Sequence, residues 1–217
     1  MNLDEKIGLL IRHIKGLRNL EFVKPEIQVP YNHMGATIID AMLQAGTTWK
    51  TVVKPRIEKL LTYSEAKTTT GFHNLISKVG IKDLLNWTDD EKPNRISKAV
   101  YFFLEEGIET EADLKNWLCK DTNIPRLKQL RGVGNKTADY FKILAGIPTS
   151  AIDRHLIEFL RKAGIEIDLN DYTEAREIIN RTADKMGIDR SLLDHSIWKN
   201  MSDKKSNRKI CRGGHYR

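Results

Sequence analysis

In "QLRGVGNKTADYF", residues 129 to 141, an apolar helical pattern stops, two glycines flank a valine, and a new helix opens with Lys136 near its start. An ammonium at a helix N-terminus stands at the positive end of the dipole, where cations are disfavoured. A neutral lysine is a nucleophile able to form a Schiff base with an aldehyde-like carbon. A lysine that pairs with a phosphate as a point charge fits the same position. Gly132 and Gly134 tolerate positive φ and carry no Cβ, so the backbone can approach another molecule closely. The amides of Gly132, Val133 and Gly134, with those opening the next helix, would form an anion site suited to a DNA phosphate, Val133 pointing inward as anchor. An ordinary turn between two helices uses the same glycines.

A second stretch, "TSAIDRHLIEFL", residues 149 to 160, supplies a carboxylate. Asp153 stands at the N-cap position of a helix whose apolar positions are Leu156, Ile157 and Leu160. One helix and a return loop separate it from Lys136, so the two could meet across one cleft. A plain capping role also accounts for Asp153. His155, just inside that helix, could face the same cleft or serve structure.

The elements that must position these residues are helical. Apolar residues recur at three- and four-residue spacing almost throughout, and strand-like alternation is scarce, which predicts an all-α fold. Ile7, Leu10, Ile11 and Ile14 mark a first helix, and two prolines in "PEIQVPYNH" interrupt it with an extended connection. A helix follows over 34 to 45 and stops at Gly46. Thr47 is placed to cap the next one, running to Leu61, with Pro55 imposing a kink or a late start. Further helices are expected over "FHNLISKVG" and "DEKPNRISKAVYFFLEEG", the second with Ile96, Val100 and Phe103 in register. "TEADLKNWLC" opens with a capping-box pattern, and a short helix near "PRLKQL" leads into the hairpin. Helices near 136 to 145, 153 to 163, 172 to 186 and 189 to 201 complete a bundle without internal repeats or low-complexity linkers.

The length of 217 residues admits one domain or two small ones. Cys119 and Cys211 are the only cysteines, which excludes a disulfide framework, a cysteine-ligated iron–sulfur cluster and a Cys₄ zinc site. No HxxxH or CxxC pairing supports a metal hydrolase, so no metal is expected. The first residues mix charges into their apolar positions and no stretch approaches membrane-spanning length, so a soluble, cytoplasmic protein is expected, nucleoid-associated if prokaryotic. The net charge of +7 points to a polyanionic partner. Most of it resides in "DKKSNRKICRGGHYR", residues 203 to 217, which serves either as a solvated end or as a phosphate-seeking tail. Cys211 and His215 in that tail have no nameable partners.

Taken together, "LRGVGNKTADYF" and "AIDRHL" closely resemble the paired motif of the helix-hairpin-helix (HhH-GPD) DNA glycosylase superfamily, the group containing endonuclease III, the adenine-mismatch glycosylases and the 8-oxoguanine glycosylases. "GATIIDAMLQAGTTWKTVVKPRIEKLL" looks like the first helix pair of the same domain, and "SLLDHSIWKNMS" like a closing helix. The resemblance implies a two-lobed α fold. Residues 33–149 would form a six-helix domain carrying the hairpin at 130–136, and residues 1–32 plus 150–217 a second helical domain with the basic tail. Double-stranded DNA would be held across the interlobe cleft with a damaged base flipped out, as a monomeric enzyme without a membrane partner. Carried over, Gly132, Val133 and Gly134 hold a phosphate, directly or through a monovalent cation. Lys136 attacks C1′ and expels the base, Asp153 stabilises the developing positive charge, and the Schiff base allows β-elimination at the abasic site. Arg131 stands where the motif often has proline and adds a phosphate contact. The iron–sulfur cysteines of endonuclease III are missing, so no such cofactor is implied, and the basic tail is a candidate to replace the loop they would brace.

The implied function is base-excision repair: a glycosylase with AP lyase activity, removing an oxidised, 8-oxoguanine-like base. The alternatives are a glycosylase for mismatched or deaminated pyrimidines and, from another class, a noncatalytic DNA-binding hairpin. Gln44 or Thr47 is expected to fill the gap left by the flipped base. Trp49, Tyr31, Phe22 and His33 lie in regions that could line a base pocket, with core packing the ordinary role for each.

Overall fold

The computed structural model describes residues 1–18, 20–168 and 171–212, with side chains described to residue 203. The basic tail beyond Asp203, including Cys211 and His215, therefore has no described side chains. The fold is all-α, and no strand occurs among the described residues. Two compact units divide the chain, one of Met1–Ile27 with Pro148–Arg217, the other of Gln28–Ile147.

The first helix, α1 (Leu3–Gly16), begins with a capping box in which Asn2 and Glu5 satisfy one another's amides. The chain then enters the Gln28–Ile147 unit. There α2 (Met34–Leu43) is buried along its whole length, and a π turn (Trp49–Val53) leads into α3 (Lys54–Leu60). Next come α4 (Thr69–Val79), α5 (Ile81–Leu85), α6 (Glu91–Glu105) and α7 (Glu111–Leu118). A single-turn α8 (Ile124–Leu127) precedes the glycine turn, and α9 (Asn135–Leu144) follows it. Helix α2 forms the centre and packs on α6 and α9. Phe103 of α6 meets Phe141 of α9 edge to face, ring centroids 5.6 Å apart, which fixes the helix behind the hairpin against the core.

Returning to the first unit, the chain forms α10 (Arg154–Lys162), α11 (Tyr172–Met186) and α12 (Arg190–Arg212). Ile7, Leu10, Leu156, Leu160, Ile178 and Ile197 are central to its core. Helix α1 packs on α11, and α10 on α12, so this core unites the two ends of the sequence.

Several local expectations are corrected. Thr47 caps no helix: its hydroxyl donates to the Leu43 carbonyl and closes the end of α2, the back-bonding open to threonine one turn on. The next helix starts late, one of the two outcomes expected of Pro55, which lies in the first turn of α3, where its missing N–H costs no intrahelical bond. Helix α12 continues past 201 into the basic stretch. The capping box of Thr110 with Asp113 is present as read.

Candidate functional site

The hairpin is built on backbone conformation. Gly132 has φ +94°, a region that disfavours any side chain, while Gly134 at φ −98° and ψ −168° is the N-cap of α9. Val133 is buried, and its amide donates to the Leu130 carbonyl at 2.9 Å, closing the turn. The Thr137 hydroxyl reaches back to the Gly132 carbonyl at 3.3 Å. Gly134 contributes no side-chain oxygen to the opening turn of α9, so those amides are capped by no hydroxyl or carboxylate from their own N-cap. A Cβ on Gly134 would meet nothing within 4 Å among the described residues, which leaves open space over the turn. This is a geometry that an anion can approach.

Lys136 lies in the first turn of α9 and is partly exposed. Tyr140 stands one turn further on the same face of the helix. Its hydroxyl donates to Asp40 Oδ2 at 3.0 Å, the Tyr31 hydroxyl donates to the same oxygen at 2.7 Å, and the Gln44 amide donates to Asp40 Oδ1 at 2.8 Å and to the Tyr140 oxygen at 3.1 Å. Asp40 is fully buried within α2, and burial pushes its carboxyl above the ordinary carboxylate range despite these three donors. Burial and the adjacent Asp40 charge likewise hold the Tyr31 hydroxyl in its protonated form.

The structure thus sorts the residues proposed for a base pocket or gap. Gln44 and Tyr31 are tied into the Asp40 cluster. Trp49 sits in the π turn with the Lys54 ammonium 5.9 Å from its ring centroid. His33 is a structural cap: Nδ1 accepts from the Ala36 amide at 3.1 Å and Nε2–H donates to the Tyr63 carbonyl at 3.0 Å, leaving no open ring face as a stacking surface at its 2 % exposure. Phe22, in the other unit, is exposed.

The first turn of α6 is a contributor that sequence reasoning did not single out. Lys92 donates to the Leu43 carbonyl at 2.9 Å and to that of Ala45, terminating α2 with a cation at the negative end of its dipole. Burial and the nearby Arg95 lower its pKa. Arg95 lies against the hairpin, its Nη1 only 2.9 Å from where a Cβ on Gly132 would stand. Glu91 Oε1 accepts from Arg95 Nη2 at 2.5 Å and from Arg131 Nη2 at 2.9 Å.

In the other unit, Asp153 is the N-cap of α10 and accepts from the amides of His155 at 2.7 Å and Leu156 at 3.1 Å through Oδ1. Its second oxygen lies 3.0 Å from His155 Nδ1. His155 is nearly buried and stands edge-on to Trp198, which stacks on His195 at 5.8 Å. The first oxygen is committed to the cap and the second to an imidazole, a fixed carboxylate with an aromatic surround.

A family model described as Domain of unknown function (DUF8548) matches residues 88–202. The stretch runs from α6 through the hairpin and Asp153 into α12. The chain is also similar to an 8-oxoguanine DNA glycosylase/AP lyase of Saccharolobus solfataricus, with 29% identity over 107 residues, 46% of this chain and 50% of the relative. A protein of the same description from Saccharolobus islandicus is 31% identical over 107 residues, again 46% of this chain and 50% of the relative. The chain thus spans about half the length of the curated relatives it matches. Among the described residues, no helix is long and apolar enough to cross a membrane.

Proposed function

From a chain that belongs to the DUF8548 family and carries a glycine hairpin opening onto a helix-borne lysine, we propose a DNA glycosylase with AP lyase activity, acting on an oxidised purine in duplex DNA. The observation that carries this reading is the turn itself. Gly134 presents backbone to open space at the start of α9, where its missing side chain leaves the opening amides uncovered by their own N-cap, and Lys136 stands in the helix's first turn. Similarity to two 8-oxoguanine DNA glycosylase/AP lyases supports it and favours the oxidised purine over a mismatched pyrimidine.

In this mechanism the amides of Gly132 and Gly134, with those opening α9, bind a phosphate of the lesion strand and Arg131 adds a charge beside them, the Val133 amide being spent on the Leu130 carbonyl within the turn. The Lys136 amine forms a bond to C1′ of the flipped nucleotide while the bond from C1′ to the base breaks. The base leaves with that electron pair and takes up a proton, and the amine gives one up. Opening of the sugar yields an imine to Lys136. Loss of a proton from C2′ then expels the 3′ phosphate. Asp153, fixed by the α10 amides, stabilises the positive charge that builds on the sugar as the base departs. The cap role and the catalytic role are compatible, because a carboxylate locked in one rotamer needs no reorganisation during the reaction.

Borohydride trapping tests the reading. Duplexes each carrying one lesion are incubated with the protein and reductant, and the expected result is a covalent adduct with an oxidised-purine duplex that disappears in Lys136→Gln. No adduct with any lesion, or an adduct undiminished in Lys136→Gln, overturns the lyase reading. Tight DNA binding without an adduct would instead support a noncatalytic hairpin protein.

A further inference from the structure

We propose that Arg95 and Arg131 form a second site for a DNA backbone phosphate beside the hairpin, and that Glu91 occupies it until DNA binds. The inference rests on the reading that the hairpin meets DNA. Two guanidinium groups from different elements converge on one point, since Glu91 Oε1 accepts from Nη2 of both Arg95 and Arg131. That point is therefore already a position where an anionic oxygen is held by two forked cations, the arrangement that also suits a phosphodiester oxygen.

Three further observations support it. Arg95 lies on the backbone of Gly132, so its guanidinium adjoins the amides assigned to the first phosphate. Its Nε is buried with no hydrogen-bond partner among the described residues, where the carboxylate of Glu91 leaves this guanidinium incompletely satisfied. Arg131 is 74 % exposed and Glu91 54 % exposed, so their ion pair is a weak one in open solvent, which a more highly charged strand can displace. A carboxylate on a nearby helical turn thus keeps both arginines oriented and competes with DNA for them.

The test is fluorescence anisotropy with a labelled duplex carrying a tetrahydrofuran abasic-site mimic, titrated across about 50 to 200 mM KCl. Glu91→Gln is expected to tighten binding several-fold, a gain that misfolding cannot mimic. Arg131→Ala is expected to weaken binding and to make the slope of log Kd against log[KCl] shallower by about 0.9, one phosphate contact. The double variant should lose the Glu91→Gln gain. Glu91→Gln binding no tighter than the parent protein, or an unchanged slope in Arg131→Ala, overturns the inference. So does tighter binding of inorganic phosphate by Glu91→Gln without any gain on the duplex, which marks a free-anion site. If the parent protein traps on a lesion and binds the duplex while both variants behave like it, only this inference fails; if the parent protein does not bind the duplex, the glycosylase reading fails with it.

Discussion

The two hairpin glycines do different work, and alanine at each should separate fold from function. Gly134 has an ordinary φ of −98° and a Cβ there would meet nothing within 4 Å among the described residues. Alanine is a poorer N-cap than glycine by roughly 1 kcal/mol. It also loses less chain entropy on folding, which returns about 0.4–1 kcal/mol. The two nearly cancel, so Gly134→Ala should melt within about 2 °C of the parent protein. Gly132 is another matter: at φ +94° an alanine is strained, and its methyl would stand 2.9 Å from Arg95 Nη1. Strain of about 1–3 kcal/mol predicts a melting temperature lower by roughly 3–10 °C. On DNA the order changes. The Gly134 methyl would fill the space a phosphate must enter, and loss of close contact is expected to weaken binding at least tenfold, about 1.4 kcal/mol. Thermal melts by circular dichroism and anisotropy titrations on an abasic-mimic duplex measure both quantities. If Gly134→Ala binds the duplex as tightly as the parent protein, the hairpin does not hold a phosphate by close backbone approach, and the assignment of its amides falls.

Asp153→Asn keeps an oxygen for the His155 and Leu156 amides, so it should hold its melting temperature while losing most single-turnover base excision, whereas Asp153→Ala should also lose about 0.5–2 kcal/mol of stability; unchanged excision in Asp153→Asn removes this residue from the mechanism. His33 titrates below the ordinary histidine range because it is buried, so its contribution to stability is present above about pH 6.5 and is lost as the pH falls through its lowered folded value. Protonation would also put a hydrogen on the Nδ1 that accepts from Ala36. His33→Asn, which retains a capping oxygen, should therefore show a shallower fall in melting temperature on acidification, His195 keeping its own share because burial and Lys199 lower its pKa too. Asp40 has the opposite sign: its raised carboxyl contributes stability fully below about pH 4, and that contribution is lost as the pH rises through the raised value. Melts of Asp40→Asn across pH 4 to 7 should therefore lack that decline, and an identical decline in the variant would show that Asp40 is not the group titrating.

What was legible in the sequence was local. The helices of "DEKPNRISKAVYFFLEEG" and "TEADLKNWLC" are visible because a buried stripe and a capping box are written within one or two turns. Asp153 as a cap, Val133 as an inward anchor and the turn at Gly132 are equally short-range. Thr47 was misread because a threonine hydroxyl can cap the helix ahead or bond back to the helix behind, and which it does depends on where α2 ends, a place that Lys92 reaches from far along the chain. The Asp40 cluster left one usable sign, an acid inside the apolar run "MGATIIDAML", but its partners Tyr31 and Tyr140 are assembled only by packing of α2 against α9. Arg95 left none, because arginine on a helix surface is ordinary until the fold lays it across Gly132. The consequence concerns how this unit should be dissected. Lys92 and Arg95 stand on successive positions of one helical face, the first fixing the end of α2 and the second covering the hairpin. Substitutions in the first turn of α6 should therefore be scored as hairpin substitutions, and a loss of DNA binding there is no evidence that α6 itself touches DNA unless the hairpin geometry has been shown to survive.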